Sequence, residues 1–460
     1  MTAVSSIAVR NPYTGELVDE VPAAGAAEVR AALDAGAAYR DRLSRHERSQ
    51  LLFAIAEQLH ARGGELAALI TSESGLCLKD TRHEVARAVD VFRFAAIEAL
   101  RDDGEVFAGD VSGHGRDRRA HTLRVPVSLV AAITPFNHPL NQVAHKLAPA
   151  LAVGAPIVLK PSEKAPLSAV ALAELVAQAG APPGAAQIVC ADPAQFLDTV
   201  LQHEAVDLVS FTGGVQVGKA IAHRLGYRRA VLELGGNDPL IVLADADLDE
   251  AADLAVRGAF ANSGQRCTAV KRVIAVQATA DELVDRIAAR TRELVCGDPS
   301  DPATDVGTVI DEPAAVRIEA RIEDARRAGA VVVAGGERRG AQVVPTLLDH
   351  VPVDCELVAR ETFGPVAPVI RVGGLDEAIA TANATPYALS SAVCSAHWPS
   401  IARCVRELRA GTVNVREVPG WRTELTPFGG IGDSGLGVKE GVREAMRAMT
   451  YVKLYSLPWS

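Results

Sequence analysis

From residue 124 onward, short apolar β-rich runs alternate with helical stretches, and this alternation constrains the fold more than any other feature of the chain. Strands are expected at residues 124–133, 155–159, 187–189 and 208–211, with helices at 167–178 and 193–202 between them. A second series begins near Arg229, with strands around 231–234, 272–275, 330–333, 366–371 and 411–415 and helices at 248–262, 281–295 and 312–328. Such a succession predicts parallel sheets covered by helices on both faces, with ligands at the carboxyl ends of the strands. The amino-terminal region reads differently, as helices at 26–43, 46–62 and 79–100.

A length of 460 residues gives room for two large α/β domains. The 47 Lys and Arg against 57 Asp and Glu leave a net charge of −10, which argues against a nucleic-acid partner, and 48% hydrophobic residues exclude a disordered chain. The longest apolar stretch, residues 147–159, is interrupted by Pro149, Gly154 and Pro156 and is too short to span a bilayer, so no membrane partner is expected. The amino terminus has no basic leader followed by an apolar region, and a cytoplasmic protein is expected. Seven widely spaced cysteines without a CxxC pair read as reduced thiols, with no metal site.

Two motif matches lack their context. GIGDSG at 430–435 fits a dinucleotide fingerprint, but the remaining residues cannot supply the βαβ unit that gives the pattern meaning. GGVQVGK at 213–219 lies between an apolar strand and a helix like a P-loop, yet the next residue is Ala220, which has no hydroxyl for Mg²⁺. A nucleotide-binding module of P-loop type is the rival reading there; phosphate binding at the loop is retained and hydrolysis is dropped.

The segment FANSGQRCT (260–268) places a thiol, Cys267, after a small polar turn and beside Arg266, and a nearby cation lowers a thiol pKa. Glu233, in VLELGGNDP (231–239), is a carboxylate in an apolar strand, where burial would raise its pKa towards a general-base range. Asn137, in VAAITPFNHP (130–139), ends a strand between two prolines, where its amide could donate to an oxyanion. KPSE (160–163) sets an ammonium and a carboxylate at the end of the next strand, a place where parallel sheets bind nucleotides.

These four segments, in this order, resemble the aldehyde dehydrogenase superfamily, and the resemblance covers nearly the whole chain. It implies two parallel-sheet α/β domains plus a small oligomerisation β-element: a cofactor-binding domain of residues 1–112 and 134–232, a catalytic domain of 233–428, and a hairpin and tail at 113–133 and 429–460. It further implies Cys267 as nucleophile, Asn137 with the Cys267 backbone N–H as oxyanion hole, Glu233 as the base for the deacylating water, and Lys146 as a supporting residue. Thr134, Pro135, Phe136, Lys160, Glu163, Gly213, Gly214, Val217, Leu234, Glu361 and Phe363 match cofactor-binding positions. NAD is expected over NADP, because Glu163 would repel a 2′-phosphate. A homodimer or homotetramer is implied through the ribbon and tail.

For the substrate, Arg266, Thr268, His138, Arg422 and Arg87 suggest a small anionic aldehyde, since guanidinium forks suit several acceptor oxygens. TPFNHPLNQVAHKLAP, GQRCTAVKR and RTELTPFGGIGDSGLGVKEGV look most like the phosphonoacetaldehyde and related phosphonoaldehyde dehydrogenases, with the non-phosphorylating glyceraldehyde-3-phosphate and lactaldehyde enzymes as alternatives. Gly214 stands where many relatives carry Ser, Phe136 where Trp is common, and Gly432 where phosphonate relatives tend to have Lys.

Overall fold

The structure is a computed structural model that describes residues 6–437 and 440–459. Its first sheet is five-stranded and wholly parallel, in the spatial order Ala186–Ile188, Ile157–Lys160, Val130–Ile133, Leu208–Thr212, Arg229–Glu233. The earliest strand is therefore central. The chain adds two strands on one side of it, then crosses back and adds two on the other. Adjacent loops diverge at such a switch point and leave a crevice at the carboxyl ends of the strands.

The second sheet has seven strands, ordered Val331–Ala334, Thr346–Asp349, Val366–Val372, Val270–Val276, Asp238–Val242, Ser390–Cys394, Thr412–Val415, and all neighbours are parallel except the first pair. A third sheet pairs Thr450–Pro458 with Arg118–Pro126 and Val106–Ala108, all antiparallel. The two largely parallel α/β sheets and the small antiparallel β-element expected from the sequence are present. Among the described residues, no helix is long and apolar enough to cross a membrane.

Several local expectations change. The run at 124–133 is not one strand: Arg118–Pro126 belongs to the third sheet, while Val130–Ile133, grouped with the ribbon at sequence level, is the centre of the first. Strand Asp238–Val242 was not foreseen because Pro239 argues against a central strand; the register shifts between Asp238 and Pro239, and that irregularity accommodates the missing donor. Helix Asn141–Val153 was missed for a different reason. It is buried almost all round, His145 and Lys146 included, so it lacks the polar face by which periodicity identifies a helix. The helix expected at 248–262 ends at Phe260, because Asn262, Ser263 and Gly264 all take positive φ.

Arg272 fastens the second sheet. Its buried guanidinium donates from Nε to the Asn237 carbonyl at 2.9 Å, from Nη1 to Thr381 at 2.8 Å and from Nη2 to Ala382 at 2.9 Å. Removing that side chain takes a hydrogen bond from each of three carbonyls, of which Thr381 keeps the Ala384 N–H at 3.3 Å. Arg272→Leu is therefore expected to cost about 3 kcal/mol of stability, measured as a lowered urea midpoint; an unchanged midpoint would refute the role.

Candidate active site between the two sheets

The expected cofactor residues gather at the carboxyl ends of three adjacent strands of the first sheet. Thr134, Pro135 and Phe136 follow Val130–Ile133; Lys160 closes Ile157–Lys160, with Glu163 just beyond; Gly213 and Gly214 follow Leu208–Thr212 and lead into helix Val215–Arg224. Lys160 is buried and donates to the Pro161 carbonyl at 2.8 Å and to Glu163 Oε2 at 2.9 Å. Although burial opposes ionisation, Lys160 and local hydrogen bonds hold the Glu163 carboxyl below its usual range.

The loop itself is tight where backbone must be approached. A Cβ on Gly213 would lie 2.5 Å from the Phe211 ring, and one on Gly218 would lie 2.3 Å from Leu234, so the helix start packs closely on the strand. A Cβ on Gly214, the helix N-cap, would meet nothing within 4 Å. Val217 is half exposed on the first turn. Lys219, the residue that would make this a P-loop, pairs instead with Asp433 at 2.7 Å. The GIGDSG segment forms the short turn Gly432–Ser434, whose Ser434 carbonyl accepts from the Leu234 N–H at 3.1 Å. These features fit a dinucleotide: free backbone N–H groups at a helix start for its phosphates, and an accessible carboxylate for a ribose.

The second sheet contributes from its opposite ends. Cys267 lies just before strand Val270–Val276, while Glu361 and Phe363 precede Val366–Val372. Glu233 ends its strand in the first sheet and is buried beside the thiol. The turn that delivers Cys267 is strained: Asn262 and Ser263, with φ of 59° and 51°, sit in a region unfavourable to residues with a Cβ. Neighbours hold it there. Asp80 accepts from the Asn262 N–H at 2.8 Å, and Asn262 Nδ2 donates to the Asn137 carbonyl at 2.9 Å. Gly264 follows at φ +66°, where a Cβ would fall 2.1 Å from the Gly364 carbonyl. Asn137 is buried, and its Nδ2 donates to the Gln265 carbonyl at 2.7 Å. An amide nitrogen carries two hydrogens, so one such bond leaves the other available.

Consecutive residues of these two turns face different spaces. Phe136 and Gln265, with Glu361 and Phe363, line a cavity of about 410 Å³ on the cofactor side. His138 and Arg266, with Arg87 and Arg422, line another of about 570 Å³. Asn137 lies between Phe136 and His138 in sequence, and Cys267 follows Gln265 and Arg266. Phe136 and Phe363 meet edge to face at 6.0 Å. Of the five substrate residues expected, four line the larger of these cavities; Thr268 is packed against Gly420 instead.

The cation with the largest effect on the thiol is Lys271, not the Arg266 expected from the sequence. The Arg266 side chain donates to the carbonyls of Arg257 and Gly258, at 3.1 and 2.6 Å, on the substrate side. Burial pushes the Cys267 thiol up to about 12, with Glu361, Asp238 and Glu233 adding to the rise, and Lys271 is the group that opposes it. The thiol is thus protonated at neutral pH in this state. Lys271 was missed because one lysine in a basic run carries no distinguishing pattern.

Other partners were also invisible in sequence. Lys146 is buried and donates to Ser210 Oγ at 2.9 Å and Glu440 Oε1 at 2.7 Å, which ties the carboxyl-terminal segment to the first sheet. Glu424 accepts from Arg87 Nε at 2.5 Å, lies 2.5 Å from His145 Nε2 and faces Arg422 at 3.9 Å. Against the effect of burial, His145, Arg87 and Arg422 hold its carboxyl far below the usual range. Burial in turn lowers Arg266 and Arg422. Arg266 Nε and Arg422 Nη1 are buried without a hydrogen-bond partner among the described residues.

A model of the aldehyde dehydrogenase family matches residues 1–455. The chain is 35% identical over 457 residues to a 3-sulfolactaldehyde dehydrogenase of Priestia aryabhattai, covering 99% of this chain and 96% of that one. It is 39% identical over 452 residues to an NADP-dependent glyceraldehyde-3-phosphate dehydrogenase of Streptococcus equinus, covering 97% and 94%. A solved glyceraldehyde-3-phosphate dehydrogenase of Methanocaldococcus jannaschii, complexed with NADP, superposes with a TM-score of 0.94 at 35% identity and 100% coverage of both chains.

The raised thiol has a measurable consequence. Without cofactor, alkylation of Cys267 by iodoacetamide should quicken about tenfold per pH unit through neutral and mildly alkaline pH, since the thiolate fraction rises until pH reaches the pKa. The rate is read by mass spectrometry of the Cys267 peptide. A plateau near neutrality would contradict the raised pKa.

Proposed function

Because the chain belongs to the aldehyde dehydrogenase family, we propose that it oxidises a small anionic aldehyde to the corresponding carboxylate, with NAD preferred over NADP. The observation that carries this reading is the pair of turns at Asn137 and Cys267: Asn137 lies between Phe136, which lines one cavity, and His138, which lines the arginine-rich one, and Cys267 follows Gln265 of the first cavity and Arg266 of the second. A reaction that joins two molecules at one sulfur needs that arrangement.

When bound, the nicotinamide supplies the hydride acceptor. The protein's own groups do the rest. Cys267 Sγ, once deprotonated, forms a bond to the aldehyde carbon, and the charge that moves onto oxygen meets the Asn137 amide and the Cys267 N–H. Donors already in place are worth about 100- to 1,000-fold in rate each. After oxidation the carbon is held as a thioester. Glu233 takes a proton from water, the new oxygen bonds to carbon, and the C–S bond breaks to release the acid and regenerate sulfur.

The arginine-lined cavity defines the substrate class. Its four guanidiniums belong to Arg87, Arg257, Arg266 and Arg422, and its five carboxylates to Asp80, Glu84, Asp90, Glu417 and Glu424. Arg87 is committed to Glu424 and Arg257 to Glu417. Arg266 Nε and Arg422 Nη1 make no hydrogen bond among the described residues, although Arg422 Nη1 faces Glu424 at 3.9 Å. Two donors without a hydrogen bond, set among four guanidiniums and five carboxylates, suit a terminal oxyanion of one charge, sulfonate or carboxylate, better than the dianion of a phosphonate or phosphate. A phosphonoaldehyde, the finer reading from sequence, is the doubly charged member of this class, and a glyceraldehyde 3-phosphate substrate shares its difficulty; lactaldehyde would leave both guanidiniums without an anion.

Cofactor preference rests on the ionised Glu163 carboxylate, which accepts from ribose hydroxyls and repels a 2′-phosphate. We also read the chain as a homodimer or homotetramer, supported by the outer strand Thr450–Pro458 with exposed Tyr451, Val452, Leu454 and Leu457. Seven free cysteines fit a cytoplasmic location.

Steady-state rates with sulfonated, carboxylated, phosphonated and uncharged short aldehydes test the substrate. The singly charged aldehydes should have the highest kcat/KM, and Arg266→Ala or Arg422→Ala should raise KM for them by about ten- to a hundredfold while leaving the uncharged one nearly unchanged. Cys267→Ala should abolish turnover. Equal rates with the uncharged aldehyde would defeat the anion assignment but leave aldehyde oxidation intact. For the cofactor, Glu163→Gln should shift the NADP-to-NAD ratio of kcat/KM towards NADP on the order of tenfold; a wild-type preference for NADP would overturn the assignment.

A further inference from the structure

The ammonium of Lys271 is buried and donates three hydrogen bonds: to the Arg266 carbonyl at 2.6 Å, to the Cys267 carbonyl at 2.8 Å and to Glu361 Oε1 at 3.0 Å. An ammonium has three donors, so this set is complete. A lysine buried only for stability would be served by Glu361 and any nearby oxygens. Here two of the three bonds fall on successive carbonyls of the turn that bears the nucleophile.

We propose that Lys271 is a positioning residue that aims and polarises the backbone N–H of Cys267 through the peptide joining residues 266 and 267. The peptide is planar, and in the trans form its carbonyl and N–H point in opposite directions. Fixing the Arg266 carbonyl from one side therefore fixes the direction of the Cys267 N–H on the other. The Ala269 N–H also donates to that carbonyl, at 3.2 Å, so both of its lone pairs are engaged and the peptide plane cannot swing. A cation on the oxygen also draws electron density from the nitrogen and strengthens the N–H as a donor, as in any chain of hydrogen bonds.

The surroundings favour the same role. A Cβ on Gly236 would stand 2.3 Å from the Cys267 carbonyl, so the chain linking the two sheets closes over the turn and leaves it little freedom. Glu361 Oε1 accepts from the Gly236 N–H at 3.2 Å as well as from Lys271, which joins the same three segments. Lys271 also opposes the rise of the thiol, so its effect on sulfur must be separated from its effect on the N–H.

This inference rests on the proposed aldehyde chemistry, in which the Cys267 N–H receives the developing oxyanion, and two reactions of the same sulfur separate the possibilities. Iodoacetamide alkylates the thiolate without placing charge on a carbonyl oxygen. With p-nitrophenyl acetate, a bond forms between Sγ and the acetyl carbon, the bond to nitrophenolate breaks with its electron pair, and the thiol proton passes to solvent; the oxyanion hole is used and no cofactor is needed. Lys271→Met should slow acylation about ten- to a hundredfold more than alkylation at the same pH, and Lys271→Arg should restore part of that difference. If Lys271→Met does not fold, Lys271→Gln supports the same comparison, because its amide satisfies fewer of the acceptors. Equal slowing of both reactions, or of neither, overturns the positioning role. If Cys267 of the wild-type protein is not acylated and Cys267→Ala still oxidises aldehydes, the functional reading fails and the inference falls with it.

Discussion

The link between Glu233 and Asp238 is the constraint on which the rest depends. Glu233 ends a strand of the first sheet and Asp238 begins a strand of the second, so residues 234–237 must carry the chain directly from one to the other. So short a link presents the carboxyl ends of one sheet to the amino ends of the next. Asn137, Glu233 and Cys267 then all lie at or just beyond strand ends, where the chain leaves the sheets and side chains converge on the seam. Gly235 and Gly236 allow this closeness: a Cβ on the first would lie 2.2 Å from Glu361 Oε2.

Placing chemistry in that seam buries charge, and the molecule contains each case by giving the cation several oxygens. Arg272 takes three carbonyls, Lys146 a hydroxyl and a carboxylate, Lys271 two carbonyls and a carboxylate. A buried ion costs several kcal/mol before such compensation. Arg266 and Arg422 are less fully bonded, since each has a buried nitrogen without a hydrogen bond among the described residues. Incomplete satisfaction at the wall of a cavity is the mark of a group kept for a ligand, whereas complete satisfaction marks a group kept for geometry.

Much of this was legible in sequence where a local signal existed. Helices 167–178 and 193–202 fall where periodicity and caps put them, and the first sheet follows from its apolar runs. Strand Asp238–Val242 and helix Asn141–Val153 did not, the first because Pro239 hides behind a register shift and the second because complete burial erases its periodicity. Asn137, Cys267, Glu233 and the arginines, which the fold brings together, are singled out from their segments. Their countercharges cannot be: Glu424 lies 337 residues from Arg87 and Glu440 lies 294 from Lys146, distances at which no spacing rule operates. The thiol shows the same limit. Arg266 is adjacent to Cys267 in sequence, yet its side chain turns towards Gly258, and the cation with the largest effect on sulfur is Lys271.

The sequence alone determined the α/β class, the series of parallel strands and the types of group present, because hydrophobic periodicity, turn residues and functional side chains are local properties of a chain. The tertiary structure decided which charges meet and how closely, and hence that Arg87 is committed to Glu424 while Arg266 and Arg422 line the same cavity less fully hydrogen-bonded. Electrostatic energy and burial depend on separation in space and on exclusion of water, and neither quantity is written in the order of residues.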